Sequence, residues 1–184
     1  MGKSVCGIGE CEKCSVTERI TFLFENYPVM ETMIANYRDD LIDEVMDQKT
    51  SNRHANDEGL GVRIQVAFCH MSDPTSNKGI SRMEIGRAID EGYLDEDFFE
   101  GTDDREALIH KVTSYHIVKE SYRMLSKRLK EMDPRDKSIM LPYLLKEKTI
   151  SMIADELQIE YKSAVQKIGR IKKRMEEGMK LKTD

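Results

Sequence analysis

Three thiols near the start of the chain, Cys6, Cys11 and Cys14, follow a C-x4-C-x2-C spacing, and Cys69 and His70 lie far downstream. Thiolates at such spacing hold zinc when a fourth donor folds in, and Cys69 or His70 can supply it. The same residues also read as a loose N-terminal tail and one core cysteine, with no cofactor. The remaining candidates for chemistry are dispersed. His54, His110 and His116 have no neighbours that suggest acid–base work, and the pairs Asp39-Asp40 and Asp103-Asp104 read as a solvated face and a helix cap. Nothing matches a phosphate loop, a nucleophile elbow or the carboxylate set of a metal-dependent nuclease. The sequence predicts a protein that is not an enzyme.

The basic residues, by contrast, are gathered. From Lys162 to Asp184 eight Lys and Arg stand against three Asp and Glu, while the whole chain carries −5. The C-terminal segment is therefore positive on an acidic body, which suits a DNA-reading tail. Within it, Ala164, Val165, Ile168, Ile171 and Met175 form the expected inward stripe of a helix. Tyr161, Lys162, Ser163, Gln166, Lys167 and Arg170 are left facing out. Gln, Ser, Lys and Arg side chains read base edges, and Lys172, Lys173 and Arg174 are placed to follow phosphates.

A helix that reads a groove needs a second helix to hold it. Thr149 is expected to N-cap a short helix carrying Ile150, Ile153, Ala154 and Leu157, and Gln158-Ile159-Glu160 is the tight connection. Ala154 is the small residue needed where the two helices touch. Gln158 stands where such turns usually carry glycine. Before this pair, Pro134 opens a helix with Ile139, Met140, Tyr143 and Leu144 inward, and Pro142 is expected to kink it or end it early.

Upstream, helical spacing begins near Thr17 with Ile20, Leu23, Phe24 and Tyr27 and is interrupted at Pro28. A second helix follows through Met30, Met33, Ile34, Tyr37, Leu41 and Val45. Residues 47–61 are polar and read as a loop, and Ile64 to Met71 as a buried helix. Asp73-Pro74 is a helix start, and Ser81-Arg82-Met83-Glu84 has the spacing of a capping box that opens a helix through Ile89. Tyr93, Phe98 and Phe99 lie in an acidic stretch and can be core or partner contacts. The clearest helix carries Leu108, Val112, Tyr115, Tyr122, Leu125, Leu129 and Met132, is capped by Asp103 or Asp104, and ends at Asp133-Pro134.

The expected fold is all-α. The expected divisions are a Cys-containing segment at 1–16, a helical regulatory or interaction region at 17–104, a helix-turn-helix domain at 105–176 and a tail at 177–184. No run approaches the roughly 18 apolar residues of a membrane span, and the start of the chain is not of secretory type. A cytoplasmic protein is expected, with its thiols reduced, metal-bound or buried rather than disulfide-linked.

The string from Met132 to Met140, then Tyr143, then Thr149 to Leu157, resembles the C-terminal promoter-reading domain of bacterial sigma factors. Asn26-Tyr27-Pro28 leading a helix, Ser72-Asp73-Pro74-Thr75 after a loop, and a long helix running into the sigma-like unit extend the likeness. That order is similar to phage late-gene transcriptional regulators of the RinA and ArpU types, over about residues 17–176. The resemblance implies promoter DNA as ligand, host RNA polymerase as partner and activation of late or packaging genes. Residues 1–60 lack the basic-aromatic cluster with which a full sigma factor melts a promoter. A small terminase-like packaging protein, and an adaptor that docks on polymerase without touching DNA, are the alternative expectations.

Overall fold

A computed structural model describes residues 7–58, 74–94, 96–99, 102 and 104–180. These residues form helices and turns, with no strand among them, so the fold is all-α. The helices are α1 (Val16–Asn26), α2 (Met30–Glu58), α3 (Pro74–Glu91), α4 (Glu96–Phe99), α5 (Arg105–Glu131), α6 (Pro134–Leu144), α7 (Ile150–Glu156) and α8 (Tyr161–Lys180). None of the described helices is long and apolar enough to cross a membrane.

The chain divides into two compact units that do not follow chain order. One combines residues 1–34 with 117–184; the other is residues 35–116. The sequence places a division at 104/105, whereas the contacts divide inside α5, after His116.

In the first unit Ser15 starts α1 with a capping box. Its hydroxyl accepts from the Glu18 N–H while the Glu18 carboxylate accepts from the Ser15 N–H at 2.9 Å, so two orphan donors are satisfied reciprocally. Pro28 falls in a 3-10 turn, Tyr27–Val29, which separates α1 from α2. Ile20, Leu23 and Phe24 of α1 are buried, as are Leu125 and Leu129 of α5 and Ile139, Met140 and Leu144 of α6. Ala164, Ile168, Ile171, Met175 and Met179 form the buried stripe of α8, which touches α1, α6 and α7.

In the second unit α2, α3 and α5 share a core of Leu41, Ile42, Val45, Ile85, Ile89, Leu108, Val112 and Tyr115. Gly86 lets α3 approach α2: a Cβ there would stand 3.2 Å from Ile42 Cδ1 and closer still to the Arg38 guanidinium. A polar knot ties the three helices. Arg38 donates from Nε and Nη2 to Asp90 Oδ2 at 2.9 and 2.7 Å, and the Tyr115 hydroxyl donates to Asp90 Oδ1 at 2.9 Å. These hydrogen bonds hold the Arg38 guanidinium above its ordinary range.

Several expectations are corrected. Residues 47–58 are the continuation of α2, not a loop. They read as a loop because they lack apolar periodicity and include Thr50, Ser51, Asn52, Asn56 and Asp57, all weak helix formers, yet the backbone carries α2 on through them to Glu58. Ser81 opens nothing, because α3 is already running from Pro74. An S-x-x-E spacing is also an ordinary i,i+3 neighbour pair inside a helix. Phe98 and Phe99 are buried and meet edge to face with ring centroids 5.2 Å apart, whereas Tyr93 is exposed. The Ile64–Met71 expectation, Cys69, His70 and Asp73 lie outside the described residues.

Candidate nucleic-acid interface

The α7–turn–α8 element is assembled by local hydrogen bonding that the sequence dictates. Thr149, in extended conformation, accepts the Met152 N–H at 3.3 Å and so starts α7. α7 ends in a Schellman motif: Ile159 N–H donates to the Ala154 carbonyl at 3.0 Å and Gln158 N–H to the Asp155 carbonyl at 3.1 Å. Gln158 therefore sits at φ 53°, the left-handed conformation that glycine adopts most cheaply. The turn lacks its glycine but keeps the backbone path that glycine favours. Ile153 and Ala154 on α7 and Ala164 on α8 are buried, which fixes the pair.

The end of α6 repeats the device. Pro142 does not break the helix at once; α6 continues to Leu144 and then closes. Lys146 takes φ 59°, its N–H donates to the Tyr143 carbonyl at 3.2 Å, and the Glu147 N–H donates to the Pro142 carbonyl at 2.9 Å. A proline ring removes one backbone donor near the end of a helix, where termination is already under way.

The side chains singled out by sequence separate into groups. Lys162, Gln166, Arg170 and Lys173 step by four, four and three along α8, opposite its buried stripe, and all are exposed. Ser163 and Arg174 are exposed on one flank and Lys167 is half-buried beside them. Tyr161 is 57% exposed. These residues present one basic and polar surface over the first three to four turns of α8. Gly169 lies on it with open space where a Cβ would stand.

All three residues assigned to phosphates have partners within the protein, Lys172 and Arg174 the closer ones. Lys172 is half-buried, lies 4.8 Å over the Tyr143 ring and 5.4 Å over the Phe24 ring, and donates to the Tyr143 hydroxyl at 3.3 Å. It closes one wall of a cavity of about 380 Å³, between α1 and the α6–α7 connection, together with Lys146 and Lys148. Arg174 donates to Asp136 Oδ2 at 2.6 Å, and Lys173 pairs loosely with Glu177 at 3.9 Å. The lysine and arginine positions directly opposite the buried stripe are Lys162, Arg170 and Lys173. Sequence reasoning missed Val165. Expected inward, it is 41% exposed, since the buried stripe runs through Ala164 and Ile168 and leaves its neighbour at the margin.

Of the N-terminal thiols, Cys11 and Cys14 lie among the described residues. Cys14 is in a disulfide, so the expectation of thiols outside disulfides fails there. Cys11 is fully buried outside any disulfide, and its thiol donates to the Gly7 carbonyl at 3.1 Å. Cys6 lies outside the described residues. Among the described residues no group of three His, Cys, Asp or Glu is placed to hold a metal ion.

Comparison with family models, with curated proteins and with solved structures finds no match to this chain.

Proposed function

We propose that the chain is a sequence-specific DNA-binding transcriptional regulator, a phage late-gene activator working at promoters with host RNA polymerase. One observation carries the reading: Lys162, Gln166, Arg170 and Lys173 lie on the solvent face of a helix that α7 and a four-residue turn hold in place. A duplex major groove accepts one helix, and such side chains read guanine, adenine and phosphate. The sigma-like likeness of residues 132–157 supplies the promoter and the polymerase. Charge supports it as well. The unit that contains α8 holds 20 Lys and Arg against 16 Asp and Glu, while residues 35–116 hold 9 against 18.

The test is retention of duplex DNA from late promoters at about 50 and 200 mM salt. Each phosphate contact steepens the fall of log affinity with log salt by about 0.9. Arg170→Ala and Lys173→Ala are each expected to weaken binding and to reduce that slope by up to about 1. Lys130→Ala, in the last turn of α5, serves as the control and should change neither. Retention that is insensitive to salt and to both substitutions overturns the proposal.

A further inference from the structure

We infer that Val165 reads the C5-methyl group of a thymine, so the preferred duplex carries a T·A pair facing the second turn of α8. The inference rests on the DNA-reading role proposed above and names what that helix selects.

Seven large apolar side chains are exposed among the described residues, and two of them, Tyr161 and Val165, stand one helical turn apart at the start of α8. A single exposed apolar residue needs no explanation. A pair on successive turns is different when it borders the polar face that Lys162 and Gln166 begin. There the apolar stripe runs beside a polar one on the same exposed surface. Thymine is the one base that offers an apolar group in the major groove, and its partner adenine offers the N6–N7 edge that a glutamine grips with two hydrogen bonds. Gln166 follows Val165 in the chain and is exposed on the face that begins beside it. Valine suits the role because a β-branched side chain holds one χ1 rotamer in a helix, so its methyls are fixed before contact.

The full chain is used to select sites from a pool of random duplexes. Thymine in the selected site is then replaced, position by position, by deoxyuracil, which removes only the methyl. One position is expected to lose about three- to five-fold in affinity, the worth of one buried methyl group. Val165→Ala, which keeps a strong helix former on an exposed position, should lose a similar factor on the thymine duplex and nothing more on the uracil duplex. A selected site that binds equally with thymine or uracil throughout, or a Val165→Ala protein that keeps the discrimination, overturns the inference and leaves DNA reading standing. Failure to select any site overturns both.

Discussion

Cys11 has no exposed surface, and desolvation pushes its thiol up from 9.0 to about 11 against the opposing pull of Arg19. Below pH 9 the thiol is neutral in both folded and unfolded chains. As pH rises from about 9 towards 11, the unfolded thiol ionises first, so its contribution to stability is lost across that window. The denaturation midpoint is therefore expected to fall more between pH 8 and 11 for the native chain than for Cys11→Ala; equal falls would refute the assignment. Alkylation of Cys11 at pH 8 should also be far slower than that of an open thiol. Asp90 is the second residue whose surroundings decide its role. Asp90→Ala leaves the Tyr115 hydroxyl, on a residue only 1% exposed, and the Arg38 guanidinium without their shared acceptor. A loss of about 1–3 kcal/mol is expected in chemical denaturation. Neither role is visible in sequence. Arg38 and Asp90 are 52 positions apart, and Asp90 reads as one more acid on an acidic segment.

Among the elements, those that announce themselves by apolar period or by a cap were legible: α1, α5, α6, α7 and α8, with Asp133 accepting the Arg135 N–H at 2.8 Å and Asp104 accepting the Ala107 N–H at 2.9 Å. The polar end of α2 was not, since it leaves no apolar stripe to find and its Thr, Ser, Asn and Asp residues are weak helix formers. The reading face of α8 was legible because an inward stripe defines the opposite side. The margins of that stripe, at Val165 and Lys172, depend on which helix packs alongside, and the period alone does not say. Glycine was expected at the α7–α8 turn, and its absence has a measurable consequence. Gln158 at φ 53° and Lys146 at φ 59° both carry a Cβ in the left-handed region, which costs about 1–2 kcal/mol each, offset in a glycine variant by the freer unfolded chain. Gln158→Gly and Lys146→Gly are each expected to stabilise by about 0.5–1 kcal/mol, or raise Tm by about 2 °C. Destabilisation by either would show that the side chain itself holds the turn.

The two-unit organisation was not legible, because it joins the first 34 residues to the last 68 and the sequence orders only neighbours. It sharpens the charge argument. An overall −5 hides a unit at +4 and a unit at −9, so the proposed reading helix approaches DNA as part of a molecule that DNA repels. The range of that repulsion depends on salt. The Debye length is about 30 Å at 0.01 M and about 8 Å at 0.15 M, so charges that do not touch the DNA act chiefly in dilute salt. Asp40, Glu84 and Glu91 are exposed acids of the −9 unit, and Asp40→Asn, Glu84→Gln and Glu91→Gln together remove three negative charges with little change of shape. The triple variant is expected to associate with promoter duplex several-fold faster than the native chain at about 0.01 M salt and at the same rate at about 0.15 M, with dissociation little changed at either. Stopped-flow association at the two salt concentrations measures both quantities. A gain that persisted at the higher salt would place those acids in contact with the DNA, and no gain at the lower would mean that the acidic unit does not govern the approach.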